Sequence, residues 1–305
     1  MNTNIKLNRW IKAARLRTLP LAFSSIFLGS AIAYFYGKFE LNILILTLLT
    51  TLCLQILSNF SNDYGDSIHG ADHSKRKGPS RAVQSGEISL ESMKKVMILF
   101  AALAFFFGLS LLVISFNIWS ISFFVFLFLL LVSIFAAITY TSGNNPYGYK
   151  ALGDLSVFIF FGIFGVTLNC YLHLSVWSWM SLLPAAAVGL MSVAVLNLNN
   201  MRDMESDALA GKNTIAIALG FKASKWYQYS LTLLPFLFVF IFLYTEYQYF
   251  NLFNFLFLLA LPTALIHVIQ VAKVKDIQAY DPMLKRMALN TLFFCISLSL
   301  SLIWA

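Results

Sequence analysis

The sequence predicts an all-α integral membrane protein with about nine transmembrane helices. Of its 305 residues, 59% are hydrophobic and only 11% are charged, whereas a soluble globular chain averages about 25% charged residues. A helix needs about 20 consecutive, mainly apolar residues to cross a bilayer. The segments that meet this requirement are residues 18–36, 41–60, 96–116, 119–140, 155–174, 177–196, 226–244, 252–271 and 287–304.

The distribution of basic residues predicts the orientation of these helices. Twenty of the 21 Lys and Arg residues lie before the first segment or in alternate connections after it, and Lys38 is the exception. Because cytoplasmic loops are enriched in Lys and Arg, we expect a cytoplasmic N-terminus and an external C-terminus in the inner (plasma) membrane. The same rule explains the net charge of +8 through the lipid bilayer, without a nucleic-acid partner.

Neither a cleaved leader nor a disulfide framework is indicated. Segment 18–36 is longer than a signal-peptide core, so we predict that it is retained as the first helix. Cys53, Cys170 and Cys295 fall in apolar segments without CxxC spacing and are expected to behave as small hydrophobic residues. Residues 1–305 are predicted to form a single transmembrane domain.

Two clusters of acidic and amide side chains follow the second and sixth predicted helices. Their members are Asn62, Asp63, Asp66 and Asp72 in the first cluster, and Asn199, Asp203 and Asp207 in the second. If the helices continue, the residues spaced four apart lie on one face. Gly65 and Gly70 are expected to loosen the backbone, so that Asp72 turns back toward its cluster. Carboxylates at a membrane boundary are costly unless they are compensated, and a divalent cation would compensate them.

Magnesium bound together with a diphosphate explains both clusters. Mg²⁺ typically takes one or two protein carboxylates, several waters and substrate phosphate oxygens. Basic side chains near the clusters would bind the remaining phosphate oxygens. These side chains are Lys75, Arg76, Lys77, Arg81, Arg202 and Lys212. Either cluster alone could be a solvated loop, but two clusters at equivalent positions on one side favour a shared site.

The two motifs resemble those of a known family. Asn62-Asp63-x-x-Asp66 with Asp72, and Asp203-x-x-x-Asp207, are similar to the aspartate-rich motifs of the UbiA superfamily of intramembrane prenyltransferases. Within it, the chain most resembles the MenA type, 1,4-dihydroxy-2-naphthoate polyprenyltransferase, through stretches within residues 15–20, 62–86, 140–154 and 199–214. It departs from the broader pattern at Gly70, where a third aspartate is common, and at Asn144, where a Lys is common.

The resemblance implies nine helices around a central cavity and a Mg²⁺–diphosphate site at its cytoplasmic mouth. It implies transfer of a polyprenyl group from polyprenyl diphosphate to 1,4-dihydroxy-2-naphthoate, with loss of CO₂ and diphosphate, giving demethylmenaquinone.

The expected metal ligands are Asn62, Asp63, Asp66, Asp72, Asn199, Asp203 and Asp207. The expected diphosphate ligands are Arg17, Lys75, Arg81, Lys150, Arg202 and Lys212. Arg17, Lys150 and Arg81 are also the unranked candidates for binding the acceptor carboxylate. Asp66, Asp203, Tyr140 and Asp154 are the expected catalytic residues, with a structural role left open for Tyr140 and Asp154.

Two other functions stay open. A transporter would also carry intramembrane carboxylates along an ion path, although the acidic residues here are expected at one membrane face and none in the middle of a span. A prenyltransferase for 4-hydroxybenzoate, haem or a chlorin would carry the same metal site. The sequence predicts neither the prenyl chain length nor an oligomeric state.

Overall fold

The computed structural model describes residues 3–69, 81–276 and 279–304, with side chains from Asn8 onward. Within these residues, nine helices are long and apolar enough to cross a membrane, as the sequence predicts. They are numbered here as the first to ninth spans. Their bounds are Asn8–Phe35, Leu41–Ile68, Leu90–Ser115, Ile121–Thr139, Gly153–Leu174, Leu182–Leu209, Ile215–Glu246, Leu252–Lys273 and Tyr280–Trp304.

Two spans start earlier than the apolar segments and are capped by polar side chains. Ser89 accepts a hydrogen bond from the Ser92 amide at 3.2 Å, and the third span therefore begins at Leu90 rather than at residue 96. Thr214 accepts one from the Ile217 amide at 3.2 Å at the start of the seventh span. Each cap satisfies an amide that has no intrahelical partner, so helix extends into polar sequence.

The second and sixth spans continue as helix through both acidic clusters. Each is 28 residues long, which corresponds to about 42 Å at 1.5 Å per residue. The hydrocarbon core of a bilayer is only about 30 Å thick. The last turns of both spans therefore extend beyond the hydrocarbon. The end of the bundle that carries residues 62–68 and 199–209 is referred to below as the motif face.

The first span is broken near the motif face. A helix over Thr3–Ala14 ends where Arg15 adopts left-handed backbone angles, with φ 48°. A 3₁₀ turn covers Leu16–Thr18, and α-helix resumes over Leu19–Phe35. The N-terminal helix packs against the second span, so residues 15–18 are brought to the cluster at the end of that span.

The fifth span contains a π-helical stretch over Phe158–Leu168. A Cβ atom added at Gly162 would lie 2.6 Å from the carbonyl oxygen of Ala185 in the sixth span, so these backbones are in direct contact. Ser25 of the first span donates a hydrogen bond to the Phe161 carbonyl oxygen at 2.5 Å. The first, fifth and sixth spans thus pack closely, and with the seventh, eighth and ninth they form the largest buried core.

The third and fourth spans present large apolar side chains outward. Phe106, Phe128 and Phe135 are all exposed, as expected where lipid tails rather than water contact the surface. The chain is therefore a multi-pass membrane protein.

Replacing Gly162 with valine is expected to destabilise the bundle, because the new side chain would collide with backbone atoms of the sixth span. Such overpacking typically costs about 1–3 kcal/mol. Thermal unfolding of the purified protein in detergent measures the effect. Phe128→Val, on the lipid-facing surface, is the control and should leave the unfolding temperature unchanged. Equal unfolding temperatures for both variants would contradict the close packing of the fifth and sixth spans.

Candidate active site

Two adjoining cavities lie inside the bundle. A polar cavity of about 520 Å³ lies at the motif face, and an apolar cavity of about 360 Å³ lies mainly among the first five spans. The residues that line both are Gln55, Asn62, Tyr140, Val157, Phe161 and Leu196. The arrangement suits a ligand with a polar head in one cavity and an apolar tail in the other.

The polar cavity is strongly cationic. Two carboxylates line it within the described residues, Asp63 and Asp66. Its basic lining residues are Lys12, Arg15, Arg17, Arg81, Arg202, Lys212 and Lys285. A cleft lined mostly by one sign of charge attracts ligands of the opposite sign, so the cavity is suited to a polyanion.

Asp66 is the best connected member of the first cluster. It is 3% exposed, and its Oδ1 accepts a hydrogen bond from the Tyr149 hydroxyl at 2.6 Å. Its Oδ2 pairs with the Arg81 guanidinium. Burial and the neighbouring Asp66 charge raise the pKa of Tyr149 above its ordinary value, so this phenol stays protonated and donates to the carboxylate.

Asn62 and Asp63 are held by the chain segments around them. The Asn62 Oδ1 accepts a hydrogen bond from the Thr141 hydroxyl at 3.1 Å, and the Asp63 Oδ2 accepts one from the Ala82 amide at 3.2 Å. The buried Asp63 Oδ1 has no hydrogen-bond partner within the part of the chain that the structure describes. An oxygen of this kind can accept a further donor or bind a cation.

Gly65 has a role different from the one expected. It does not loosen the backbone, because the helix continues through it to Ile68. A Cβ atom here would lie 2.3 Å from the Thr141 carbonyl oxygen, so the missing side chain allows the segment after the fourth span to contact the cluster. Gly70, Asp72, Lys75, Arg76 and Lys77 lie outside the described residues.

Arg202 organises the second cluster. Its Nε and Nη2 donate to the two carboxylate oxygens of Asp203 at 2.9 and 2.6 Å, and Nη2 also donates to the Asn199 Oδ1 at 2.8 Å. Its Nη1 donates to Asp281, in the first turn of the ninth span, at 2.5 Å. Arg202 was predicted to bind diphosphate. It does line the polar cavity, but three of its four hydrogen bonds go to Asp203 and Asn199 of its own span, and the fourth joins the sixth span to the ninth.

Asp207 lies near members of both clusters. It is buried, and its Oδ2 lies 3.4 Å from the Lys212 Nζ. Its charge interacts with those of Asp203 and Asp66, so carboxylates from the sixth and second spans share one region. Lys212 also interacts with the Asp66 charge, which makes it common to both clusters.

The connection after the fourth span joins the first cluster to the segment after the sixth span. Its backbone pairs with residues after the sixth span: the Asn213 amide donates to the Tyr149 carbonyl at 3.0 Å, and the Ala151 amide donates to the Asn213 carbonyl at 3.0 Å. The Lys212 Nζ lies 5.7 Å from the centre of the Tyr149 ring. The segment that donates to Asp66 is therefore also attached to the Asp207 side of the site.

Of the further catalytic candidates, Tyr140 lies on the cavity walls. This residue lines both cavities, and desolvation by burial, with nearby negative groups, raises the pKa of its phenol. The phenol is therefore a hydrogen-bond donor rather than a base. Asp154 is buried at the start of the fifth span and accepts a hydrogen bond from the Tyr227 hydroxyl at 3.1 Å. It does not line either described cavity, and its catalytic role stays a prediction.

The remaining predicted diphosphate ligands differ in whether they line the polar cavity. Arg17 and Arg81 line the polar cavity, whereas Lys150 is exposed and is not part of the lining formed by the described residues.

Sequence reasoning missed Tyr149 and Lys285. Tyr149 lies in a stretch that was noted for its resemblance but not for its hydroxyl. Lys285 lies in a span remote in sequence from both clusters, and no local pattern identifies it.

The donor set fits magnesium bound with phosphate. Among the described residues, no group of three or more His, Cys, Asp or Glu side chains is placed to hold a metal alone. Mg²⁺ commonly uses one or two carboxylates together with substrate phosphates rather than an all-protein cage. Asp66 and Asp207 supply carboxylates from two spans, and Asn62 and Asn199 add amide oxygens. The oxygen-only chemistry and the unbonded Asp63 Oδ1 match this requirement.

Removing the Arg202 side chain is expected to destabilise the protein strongly. Arg202→Ala leaves the buried Asp203 without its bidentate partner, and breaking a buried ion pair in this way typically costs about 3–5 kcal/mol. Lys95→Ala is the control, because the Lys95–Glu91 pair is fully on the surface and such pairs contribute little. Thermal unfolding in detergent compares the two. A similar, small loss for both would contradict the joining role of Arg202.

Comparison with known proteins agrees with this geometry. Residues 22–298 match the UbiA prenyltransferase family. The chain is 42% identical to a 1,4-dihydroxy-2-naphthoate octaprenyltransferase of Haemophilus influenzae, covering 98% of this chain and 97% of that protein. It is 40% identical to the protein of the same description from Escherichia coli K12, covering 96% and 95%.

Solved structures give the same fold. The chain matches a UbiA homolog from Archaeoglobus fulgidus bound to GPP and Mg²⁺ with a TM-score of 0.62 at 17% identity, covering 96% of this chain and 100% of that one. The predicted fold class and the resemblance drawn from the two acidic motifs are both confirmed. The chain belongs to the UbiA prenyltransferase family.

Proposed function

We propose that this protein transfers a polyprenyl group from polyprenyl diphosphate to 1,4-dihydroxy-2-naphthoate, releasing diphosphate and CO₂ in the menaquinone pathway. The observation that carries this proposal is the junction of a cationic, carboxylate-bearing cavity with an apolar one. A prenyl diphosphate has this division of charge along its length. The acceptor follows from the similarity to proteins described as 1,4-dihydroxy-2-naphthoate octaprenyltransferases. Membership of a prenyltransferase family removes the support for a transporter.

The diphosphate is proposed to bind in the polar cavity between the two clusters. Asp66 and Asp207 would hold Mg²⁺, with Asn62, Asp63, Asn199 and Asp203 beside them, and Asp72 as a further predicted ligand. Held by these residues, Mg²⁺ would supply positive charge to stabilise the departing diphosphate. Arg81 and Lys212 would exchange part of their contact with the carboxylates for phosphate oxygens. Both lie at the cavity wall, and cations placed where negative charge develops stabilise a transition state.

The bond changes balance without an outside reagent. The allylic C–O bond breaks and its electron pair leaves on the diphosphate. The electron-rich ring then forms a C–C bond to the allylic carbon, and the carboxylate departs as CO₂, leaving its bonding pair to restore the aromatic ring. Tyr140 and Phe161, which line the junction of the cavities, would place aromatic rings near the allylic cation. Enclosure would keep water from the cation.

The acceptor is tested directly with purified protein, Mg²⁺ and a polyprenyl diphosphate. We expect 1,4-dihydroxy-2-naphthoate to be prenylated and decarboxylated in preference to 4-hydroxybenzoate, with products identified by mass spectrometry. Omitting Mg²⁺ with excess chelator should abolish product. Preference for the benzoate would contradict the naphthoate assignment, and full turnover in chelator would contradict the metal assignment.

Each acidic cluster is expected to be required. Asp66→Asn and Asp207→Asn remove a carboxylate from the second and the sixth span respectively, and kcat should fall by about 100-fold or more. Glu205→Gln is the matched control, because Glu205 lies between the second-cluster aspartates in sequence but is exposed. Unfolding temperatures separate lost chemistry from lost folding. A folded variant of either aspartate with nearly full activity would contradict the role of its cluster.

We further propose that residues 1–305 form one domain in the inner membrane, with the motif face and N-terminus cytoplasmic and the C-terminus outside. The basic residues concentrated in alternate connections support this orientation. In intact cells, an impermeant maleimide should label cysteines introduced at Lys38 and Tyr249, but not at Gln84 and Lys222. The natural cysteines are buried and should not interfere. Labelling of the second pair but not the first would reverse the orientation.

A further inference from the structure

The polar cavity has more basic side chains than the carboxylates of the two acidic clusters pair with. Four of its basic residues are paired with carboxylates. The pairs are Lys12 with Glu87 at 3.9 Å, Arg81 with Asp66, Arg202 with Asp203 at 2.6 Å, and Lys212 with Asp207 at 3.4 Å. Arg15 interacts with the Asp63 charge. Arg17 and Lys285 line the same cavity and make no ion pair with another described residue.

Arg17 and Lys285 line the polar cavity but not the apolar one. The turn Leu16–Thr18 packs against the ninth span, which carries Lys285. Neither residue lines the apolar cavity, whose shared wall contains Tyr140 and Val157. A prenyl diphosphate with its tail in the apolar cavity and its head between the acidic clusters would leave Arg17 and Lys285 to another ligand.

The turn that carries Arg17 is firmly anchored. The Thr18 Oγ1 accepts hydrogen bonds from the Gln55 Nε2 at 3.0 Å and the Asn59 Nδ2 at 3.1 Å. The Asn59 Nδ2 also donates to the Ala14 carbonyl at 2.8 Å, so the second span holds both sides of the left-handed turn at Arg15. The position from which the Arg17 side chain extends is therefore fixed relative to the cavity.

Apolar side chains line part of the cavity on the spans that carry or adjoin these two cations. Leu21, Val195, Leu284 and Ala288 line the same cavity on the first, sixth and ninth spans. A ligand suited to this wall has a flat apolar body and one negative group. An aromatic carboxylate has both, whereas a second diphosphate has no surface to place against the apolar residues.

We propose that Arg17 and Lys285 form the subsite for the carboxylate of the aromatic acceptor, with the ring lying against the neighbouring apolar wall. This inference rests on the proposed function and identifies where its second substrate binds. It assigns Arg17 to the acceptor rather than to the diphosphate. Both residues line the cavity and remain exposed, so they would orient the carboxylate without enclosing it.

Binding of two ligands that differ only in the carboxylate tests the subsite. The probes are 1-hydroxy-2-naphthoate and 1-naphthol, titrated into the purified full-length protein with Mg²⁺ and inorganic diphosphate by calorimetry. We expect the wild-type protein to prefer the acid by about 10-fold or more, which is the lower range for a hydrogen bond to a charged group. Lys285→Gln and Arg17→Gln should each weaken acid binding by about 10-fold and leave naphthol binding unchanged.

The control is Arg286→Gln, because Arg286 is the next residue but donates to Gln270 outside the cavity at 3.2 Å. It should bind both probes as the wild-type protein does, and Lys285→Arg should keep the preference for the acid. Equal loss of both probes, or unchanged acid binding in both glutamine variants, would overturn the inference. Because binding is measured without turnover, these outcomes are distinct from a failure of the wild-type protein to prenylate the naphthoate, which would contradict the proposed function.

Discussion

Buried carboxylates at the edge of a membrane bundle must be compensated by positive charge, and the rest of this site depends on that constraint. A lone ionised carboxylate removed from water is very costly. Here three aspartates each pair with a different cation: Asp66 with Arg81, Asp203 with its neighbour Arg202, and Asp207 with Lys212. The three pairs differ in kind. The Arg202 pair is bidentate and extends to the ninth span, so it serves structure. The Lys212 pair is longer and lies at the cavity wall, so it can be exchanged for a ligand.

Connections between spans supply side chains that complete the site. Three connections meet at the motif face. The one after the second span supplies Arg81, the one after the fourth supplies Tyr149, and the one after the sixth supplies Lys212. Gly65 allows close contact between the second span and Thr141, and backbone bonds at Asn213 join the other two connections. The Tyr149–Asp66 hydrogen bond, the Lys212–Asp207 ion pair and the contact of Lys212 with the Tyr149 ring therefore lie close together. Asp66 and Asp207 are nevertheless far apart in sequence.

Much of this architecture could be predicted because it follows from local chemistry. The spans follow from apolar length, and the clusters from spacing along a continuing helix. What could not be predicted depends on which helices become neighbours. Asp281 and Lys285 are ordinary polar residues at the start of the ninth span, and only its packing beside the first and sixth spans gives them a role. The role of Gly65 was misjudged for the same reason, since a glycine in a helix can serve a neighbour as well as its own backbone.

The central claim is that carboxylates from the second and sixth spans bind one metal–diphosphate ligand between them. The most direct measurement is a crystal structure of the protein with Mn²⁺ and a non-reacting thiodiphosphate analogue, using the anomalous signal to locate the metal. We expect metal within about 2.0–2.6 Å of oxygens from both Asp66 and Asp207, with the analogue's tail in the apolar cavity. Metal bound to one cluster alone, or a diphosphate held only by Arg and Lys side chains, would contradict the account.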